Sequence, residues 1–190
     1  EVVDYVVSRD MYCVLNMHHD GGTGDETGDG RGWLFADWTN YSTISAQYKS
    51  IWNQIAERFK DYNHLLVFES YNELLDENNY WNIPKTTDGY KAQAALAQDF
   101  VDVVRSTGGN NRYRCLCINT YSACPLEETI NNFSLPNDII QDRLMVQVHC
   151  YDPYEFSLVI GEDSKQDFNE VDKADLDATM AHLNKRFVSQ

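Results

Sequence analysis

The chain contains two kinds of apolar pattern, short continuous runs and longer stretches with helical spacing. Four short runs occupy residues 13–17, 65–71, 115–119 and 144–148. Short apolar runs bounded by polar residues are typical of strands that are buried on both faces. We therefore predict four buried strands at these positions.

Helices are predicted before, between and after the strands, because apolar residues there recur every three or four positions. The expected helices cover residues 1–8, residues 44–59, a stretch from about residue 88 to Gly108-Gly109, residues 127–133, and a last stretch that Asp172 caps and that buries Leu176, Met180, Leu183 and Phe187. A loop rich in glycine and acidic residues is predicted for residues 21–32.

Strands that alternate with helices predict an α/β fold with a parallel sheet covered by helices. An open doubly wound sheet and part of a (β/α)8 (TIM) barrel both satisfy this order. The open sheet usually carries a glycine-rich phosphate turn after its first strand, and none occurs here. Polar and aromatic residues instead follow several strands, as in barrels, so we predict an incomplete (β/α)8 barrel.

The number of strands indicates how much of a barrel is present. A complete barrel takes about 250 residues, whereas these 190 residues hold four strands. We expect residues 1–190 to be part of a single (β/α)8 catalytic domain that is truncated at both ends.

Charge narrows the choice of partner. Thirty acidic and fifteen basic residues give a net charge of −15, which disfavours nucleic acids and anionic membrane surfaces. No apolar run is long enough to insert into a membrane. A neutral polysaccharide is compatible with this charge, and 13% aromatic residues supply rings that stack on sugars.

Cysteine and histidine positions do not predict a metal site. The five cysteines are scattered, mostly within apolar runs, which favours buried free thiols that act as small hydrophobic residues. His18-His19-Asp20 has no third ligand nearby in sequence, and the acidic loop at residues 20–29 departs from the calcium-loop spacing. We expect no metal and no cofactor.

The Asn72-Glu73 pair is the strongest candidate for catalysis, because it follows an apolar strand directly. A carboxylic acid that stays neutral near pH 7 can protonate the leaving oxygen of a glycosidic bond. Glu73 is therefore the candidate general acid/base, and Asn72 the candidate donor to a neighbouring sugar hydroxyl. A surface Glu paired with a lysine is the alternative interpretation. Glu69 is expected deeper in the barrel, in a structural ion pair.

Two histidine segments at other strand ends are candidates for the same site. His149 and Tyr151 lie on one face of the fourth strand, where the tyrosine can hold a carboxylate ionised and the histidine can orient the substrate or the acid. Aromatic closure of the barrel mouth is the alternative. His18 and His19 are expected to contact the substrate or a catalytic carboxylate.

Aromatic residues in the loops after strands are candidate sugar platforms, and each is equally well explained as a loop anchor. They are Trp33, Trp81, Tyr121 and Tyr154.

A second carboxylate is needed for glycoside hydrolysis. Glu162 follows a short apolar run, but that run comes too soon after Tyr151 for a crossover helix to fit between parallel strands. We reject Glu162 as nucleophile and expect that residue on a strand after Phe187.

Four segments of the chain resemble glycoside hydrolase family 5, particularly its endoglucanase and xyloglucanase members. The segments read LNMHHDGG, WNQIAERFKDYNHLLVFESYNELLD, VRSTGGNNRYR and VQVHCYDPYEF, in the family order. The resemblance covers strands three to six of eight. It implies Glu73 as acid/base, Asn72 as its neighbour on the substrate, His18 and His19 in the cleft, and His149 and Tyr151 at the substrate and nucleophile.

The chain departs from the family pattern at several points. Leu74 replaces the usual proline after Asn-Glu, and the early-strand arginine, the nucleophile glutamate and the last-strand tryptophan have no counterpart. The resemblance implies a retaining endo-β-1,4-glucanase acting on cellulose-like or xyloglucan chains, monomeric when intact and secreted, cell-surface or periplasmic in a bacterium. A mannanase or xylanase on the same scaffold, or a non-catalytic glycan-binding relative, remains an alternative. We expect the 190-residue segment alone to be inactive.

Overall fold

A computed structural model describes residues 1–18 and 32–189. The predicted glycine-rich loop (except Gly32), the acidic stretch at residues 20–29 and the candidate substrate residue His19 lie outside the described residues. The elements in chain order are α1 (Val2–Val7), β1 (Cys13–Asn16), α2 (Tyr41–Phe59), β2 (Leu66–Glu69), α3 (Thr87–Ser106), β3 (Leu116–Asn119), α4 (Glu127–Asn132), β4 (Leu144–Gln147), α5 (Tyr154–Ser157) and α6 (Glu170–Phe187).

The four strands form one parallel sheet in the order β1-β2-β3-β4. The two common doubly wound sheets reverse direction after their first strands, so neither contains four consecutive strands side by side. Simple succession is the arrangement of a barrel wall. The strand order therefore favours the barrel over the open sheet.

The register brings the polar strand ends to one edge of the sheet. Asn16 of β1 pairs with Glu69 of β2, and Asn119 of β3 pairs with Gln147 of β4. Glu69 pairs with Cys117, so the β3 and β4 ends reach two residues further than the β2 end. Functional side chains of a (β/α)8 barrel lie at this carboxyl edge.

The main core lies between the sheet and the two long helices. The Trp52 ring of α2 lies 4.5 Å from the Phe100 ring of α3 and 5.6 Å from the Phe68 ring of β2, measured between centroids. All three side chains are fully buried. Burying each side chain of this size stabilises the fold by about 1.5–3 kcal/mol, so the sheet is firmly held on its helix-covered face.

The opposite face of the strands is open. A cavity of about 1010 Å³ is lined by side chains of all four strands together with Tyr12, His64 and Tyr113. Val14 and Met145 on this face are 57% and 41% exposed. Cys115 and Cys117 both line it, so they lie on the same face of the chain at β3. In a closed barrel this face packs against the side chains of the remaining strands.

Helix α6 differs from its prediction at both its start and its apolar stripe. Asn169 is the N-cap, and Asp172 is the third helical residue of a capping box in which each side chain bonds to the other's backbone N–H. The stripe is only partly buried, since Met180 and Leu183 line an apolar groove beside β4. The prediction of Asp172 as cap and of a fully buried stripe was wrong.

All five cysteines are free thiols, and Cys117 and Cys124 are buried. Within the described part of the chain, no helix combines the length and the apolar character that crossing a bilayer requires.

Candidate active site

The segment after β2 is fixed by hydrogen bonds to its backbone. Tyr48 Oη and Trp52 Nε1 of α2 both donate to the Ser70 carbonyl oxygen, at 3.0 and 3.1 Å. The backbone N–H of Asn72 donates to the Met17 carbonyl oxygen at 3.0 Å. The chain therefore leaves the sheet in a set direction and delivers the next residue to the rim.

Glu73 occupies a backbone conformation that few side-chain-bearing residues adopt. Its φ is +44°, in the left-handed region. Such a conformation disfavours the fold by about 1–3 kcal/mol and persists where surrounding contacts over-determine it, often at functional sites. Because β2 ends at Glu69, Glu73 does not continue the strand alternation from that residue.

Glu73 and His149 form a close pair across the rim. His149 Nδ1 lies 2.7 Å from Glu73 Oε1, although the two residues are 76 positions apart in sequence. The His149 side chain is 23% exposed and the Glu73 side chain is 17% exposed, so both reach solvent while remaining largely enclosed. An acid of this kind is accessible to a substrate and is held in one orientation.

The loop after β3 holds the histidine backbone. The His149 N–H donates to the Ala123 carbonyl oxygen at 2.7 Å. Ser122 and Ala123 both have positive φ, +48° and +52°, and the Ser122 N–H donates to the Leu74 carbonyl oxygen at 2.9 Å. The segments that carry Glu73 and His149 are thus tied together through this loop.

A layer of amides lies beneath the pair. Glu69 Oε1 accepts hydrogen bonds from Asn16 Nδ2 at 3.3 Å, Asn119 Nδ2 at 3.0 Å and Gln147 Nε2 at 3.4 Å. We call these four strand-end residues the amide layer. Gln147 Nε2 also lies 2.9 Å from His149 Nε2, which connects the layer to the acid above it.

A cleft of about 600 Å³ opens at Glu73 and His149; we call it the rim cleft. It is lined by Glu73, Trp81, Asn82, Ser122, Cys124, Pro125, Leu126, His149, Tyr151, Asp152, Tyr154 and Leu158. The cavity on the open sheet face is larger, but no carboxyl group is among the described residues that line it. The rim cleft combines a largely enclosed carboxyl group with aromatic rings, the arrangement that sugar hydrolysis needs.

The family model described as Cellulase (glycosyl hydrolase family 5) matches residues 1–190. The chain belongs to glycoside hydrolase family 5.

Relatives of this family 5 chain include enzymes with named activities. It is 34% identical over 192 residues to Endoglucanase B from Neocallimastix patriciarum, a match that covers all of this chain and 37% of the relative. The chain thus spans little more than a third of that protein's length.

Solved structures match the chain closely along nearly its whole length. It is similar to a mutant of a glycoside hydrolase family 5 enzyme from Prevotella bryantii B14 in complex with a xyloglucan tetradecasaccharide, with 40% identity, a TM-score of 0.89, and 99% of this chain and 51% of that chain covered. It is also similar to a broad-specificity endoglucanase from Ruminococcus champanellensis with bound cellotriose, with 35% identity, a TM-score of 0.84, and 98% and 51% covered. These matches confirm the predicted family and the incomplete barrel.

Five of the predicted site residues come together in the family 5 chain. Glu73, Trp81, His149, Tyr151 and Tyr154 all line the rim cleft. Trp81 is 50% exposed, and Tyr151 and Tyr154 are also exposed, so their rings are accessible from solvent. Their assignment as platforms remains a prediction.

Three further predicted residues do not line the rim cleft. Asn72 is half-buried directly before Glu73. His18 is exposed after β1, with its Nδ1 3.4 Å from Asn16 Nδ2. Trp33 is partly buried and packs against the core. Their roles toward a substrate also remain predictions.

Tyr121 is not a sugar platform. It is 1% exposed, its hydroxyl donates to the Tyr80 carbonyl oxygen at 2.7 Å, and it accepts from the Asp76 N–H at 2.8 Å. Both bonds hold the loop that carries Trp81. The prediction was wrong because a ring enclosed on all sides offers no face to a sugar.

Two other expectations for carboxylates have different outcomes. Among the described residues Glu69 bonds to amides rather than to a cation, so the expected ion pair was wrong. Glu162, which was rejected as nucleophile, lies in an exposed turn outside the strands. Within residues 1–18 and 32–189, no three metal-ligating side chains form a group that could hold an ion.

The amide layer was missed in the sequence, although a signal for it exists. All four strands end in Asn, Glu, Asn or Gln, namely Asn16, Glu69, Asn119 and Gln147. A polar amide or acid at the same position of successive parallel strands indicates that the side chains meet at the carboxyl edge of a barrel.

Proposed function

We propose that residues 1–190 form part of a retaining endo-β-1,4-glucanase, with Glu73 as its general acid/base. The observation that carries this proposal is the Glu73–His149 pair at the mouth of an aromatic cleft. The endoglucanase relatives and the sugar-bound family 5 structures support the same activity.

In the first step Glu73 donates a proton to the leaving glycosidic oxygen while a second carboxylate attacks the anomeric carbon, so the glycosidic bond breaks and a covalent glycosyl-enzyme forms. His149 Nδ1 lies 2.7 Å from Glu73 Oε1 and holds the carboxyl group, so that the acid approaches the glycosidic bond in one orientation. In the second step the resulting carboxylate takes a proton from water, which releases the sugar from the enzyme. General acid–base catalysis of this kind contributes about 10²–10⁴-fold to the rate.

The nucleophile of the proposed reaction is a second carboxylate, about 5–5.5 Å from the first in retaining enzymes. We place it outside this segment, on a later barrel strand. Tyr151 shares the rim cleft with Glu73, and we assign its hydroxyl the role of holding that nucleophile in the ionised form.

The proposed substrate is a β-1,4-linked glucan such as cellulose or xyloglucan. Trp81 and Tyr154 present exposed rings on the cleft wall, where sugar units can stack. The net charge of −15 does not oppose a neutral polymer. Because such polymers do not cross membranes, we propose that the protein acts outside the cytoplasm. We also propose that the intact protein is a monomer.

The test is Glu73→Gln in the full-length protein that carries this segment. An amide cannot donate or accept the proton, so turnover on xyloglucan and carboxymethylcellulose should fall about 10²–10⁴-fold. Turnover near the wild-type level on either of these polymers would rule out Glu73 as the general acid/base.

Glu77→Gln is the matched control, because it is the same substitution four residues later in an exposed loop. It should leave turnover unchanged. Circular dichroism and the melting temperature of both variants establish that the fold is retained. Aryl glucosides with acidic phenol leaving groups need no proton, so Glu73→Gln should still form the glycosyl-enzyme from them in a burst.

A further inference from the structure

We propose that Gln147 fixes His149 in its neutral Nδ1–H form and so keeps Glu73 protonated for catalysis, a positioning role that rests on the proposed function. Gln147 acts through His149 and touches neither substrate nor the reacting atoms. The contacts of the Gln147 side-chain amide determine which tautomer of His149 it favours.

Three contacts orient the side-chain amide of Gln147. Cys117 Sγ donates to Gln147 Oε1 at 3.1 Å. Burial raises the pKa of Cys117 to about 12, so the thiol keeps its proton and remains a donor. On the other side, Gln147 Nε2 faces Glu69 Oε1 at 3.4 Å and His149 Nε2 at 2.9 Å.

The reverse amide orientation is unfavourable at both ends. It would turn the Gln147 oxygen toward Glu69 Oε1, an acceptor against an acceptor, and the NH₂ group toward the thiol proton. In the observed orientation the NH₂ group has two hydrogens and two acceptors, one for each.

The amide orientation determines the position of the proton on His149. Because Gln147 Nε2 donates, His149 Nε2 must accept and carry no proton. The single ring proton therefore lies on Nδ1, which donates to Glu73 Oε1 at 2.7 Å. An imidazolium would direct a second N–H against the NH₂ group, so Gln147 opposes protonation of His149.

A neutral His149 matters because Glu73 must hold a proton to act as an acid. A cation at hydrogen-bond distance would favour the ionised carboxylate. A neutral Nδ1–H occupies Oε1 as an acceptor, which places the acid proton on Oε2, the oxygen that meets the leaving group.

Other titratable groups face this pair from several elements. Glu69 lies behind Gln147 on β2 and Cys117 beside it on β3. Cys124, Tyr151, Asp152 and Tyr154 share the rim cleft with the pair. Glu69 is the buried carboxyl group of this set, and an imidazolium would be attracted to it. The Gln147 amide stands between Glu69 and His149 and prevents that pairing.

The test is Gln147→Leu, which keeps the approximate volume and removes both donors. In the full-length protein, kcat/KM on a soluble β-glucan oligosaccharide is measured as a function of pH. The decrease on the basic side of this profile, its basic limb, reports loss of the proton from the catalytic acid. Loss of a hydrogen bond to the neutral imidazole should move that limb down by about one pH unit, and the rate above the optimum should fall about tenfold. The acidic limb should stay in place.

Asn16→Leu is the matched control. It removes another amide from the same Glu69 oxygen without touching His149, so the basic limb should not move. A basic limb that shifts equally in both variants, or stays fixed in Gln147→Leu, would overturn the proposal.

Nitrogen-15 NMR of the wild-type imidazole decides the proposal independently of activity and of whether Gln147→Leu folds. The expected spectrum at neutral pH shows a protonated Nδ1 and an unprotonated Nε2 for His149. A cationic ring or an Nε2–H tautomer would contradict the proposal. If the wild-type protein hydrolyses no glucan, the proposed function fails, while the NMR result still tests the His149 tautomer that Gln147 is proposed to set.

Discussion

Tyr121 shows how a single hydroxyl can support a binding surface that it never touches. Its oxygen accepts from the Asp76 N–H and donates to the Tyr80 carbonyl oxygen. The Asp76 carboxylate in turn accepts from the backbone N–H groups of Asn78, Tyr80 and Lys85. Tyr121 therefore anchors the loop that presents Trp81 to the rim cleft.

We predict that Tyr121→Phe weakens substrate binding more than it slows chemistry. The Asp76 N–H loses its buried partner, which destabilises this loop conformation by about 1–3 kcal/mol. KM for cello-oligosaccharides that reach Trp81 should rise several-fold, while kcat stays near the wild-type value. Steady-state kinetics on long and short substrates measure this, and an equal KM change for both lengths would contradict it.

The sequence could not distinguish the anchor from the platforms. Trp81, Tyr121 and Tyr154 all follow strands and all fit a loop equally well. Whether a ring is enclosed depends on partners 41 to 45 residues away, Tyr80 and Asp76 for Tyr121. No local pattern carries that information, whereas Glu73 was predictable because a strand end needs only the adjacent apolar run.

The connection between α3 and β3 is built around a buried guanidinium. Arg114 is 2% exposed and donates to the carbonyl oxygens of Phe59, Tyr62, Asn63 and Leu66, and to Asn111 Oδ1. Burial lowers its pKa to about 10, so the group stays charged at neutral pH. It joins the end of α2, the start of β2 and the segment that follows α3.

We predict that Arg114→Lys destabilises the protein strongly even though the charge is kept. An ammonium has three donors and no planar fork, so several of these acceptors lose their partner. The free energy of unfolding should fall by about 3 kcal/mol or more. Denaturant unfolding measures it, with Arg112→Lys as an exposed control that should change little.

A buried ion pair gives α3 a defined pH dependence. Arg105 Nη2 lies 2.6 Å from Asp138 Oδ2, and both side chains are 4% exposed. Burial alone would raise the pKa of Asp138, but the hydrogen bonds from Arg105 and from the backbone of Ile140 and Ile139, together with the charge of Arg105, outweigh it and lower the pKa below its ordinary value. The resulting stabilisation is present above about pH 3.9, the usual unfolded value, and is lost as pH falls through the lower folded value.

We predict that Asp138→Asn destabilises the protein at neutral pH by about 3–5 kcal/mol, because Arg105 becomes an unpaired buried charge. The loss should diminish as pH is lowered below 4. Asp177→Asn is the matched control in an exposed pair with Lys173, for which a change of at most about 1 kcal/mol is expected. Melting temperatures between pH 2 and 7 that run parallel for Asp138→Asn and wild type would contradict the role of this pair.

Periodicity located every predicted strand and helix, because burial on one or two faces leaves a repeat in the sequence. It placed their ends less well. The strand predicted at residues 65–71 stops at Glu69. The Ser70 N–H still donates to β3, but the Ser70 carbonyl oxygen accepts from Tyr48 and Trp52 of α2, so the ladder does not continue. Helix α6 begins at Glu170 rather than after Asp172, because Asn169 is the N-cap and Asp172 completes the capping box from inside the helix. In the sequence alone, either residue could be taken as the cap.

The four described strands leave their inner face and the β4 edge uncovered. Val14 and Met145 on the inner face are exposed, and Met180 and Leu183 border the groove beside β4. Exposed apolar faces and unpaired strand edges favour association. Alternation of strands and helices predicted the barrel wall, but the partners of this face could not be deduced from the residues that form it.

We predict that residues 1–190 expressed alone associate, bind the dye ANS and lack glucanase activity. The reason is the open inner face, together with the absence from this segment of the nucleophile, which we place on a later strand. Size-exclusion chromatography, dye fluorescence and a carboxymethylcellulose assay test this against the full-length protein. A monomeric segment that hydrolyses carboxymethylcellulose would contradict it.

The convergence of Asn16, Asn119 and Gln147 on one oxygen of Glu69 has a consequence for how the molecule can diversify. Because three neighbours share a single acceptor, one of them can be lost while two donors remain, but the loss of more would leave the buried carboxyl group short of partners. The changes that the strand ends tolerate are therefore limited as a group. The exposed side chains of Trp81 and Tyr154 do not belong to this shared arrangement. New polymer preferences should therefore evolve, or be engineered, by changing these two side chains while the strand ends stay untouched.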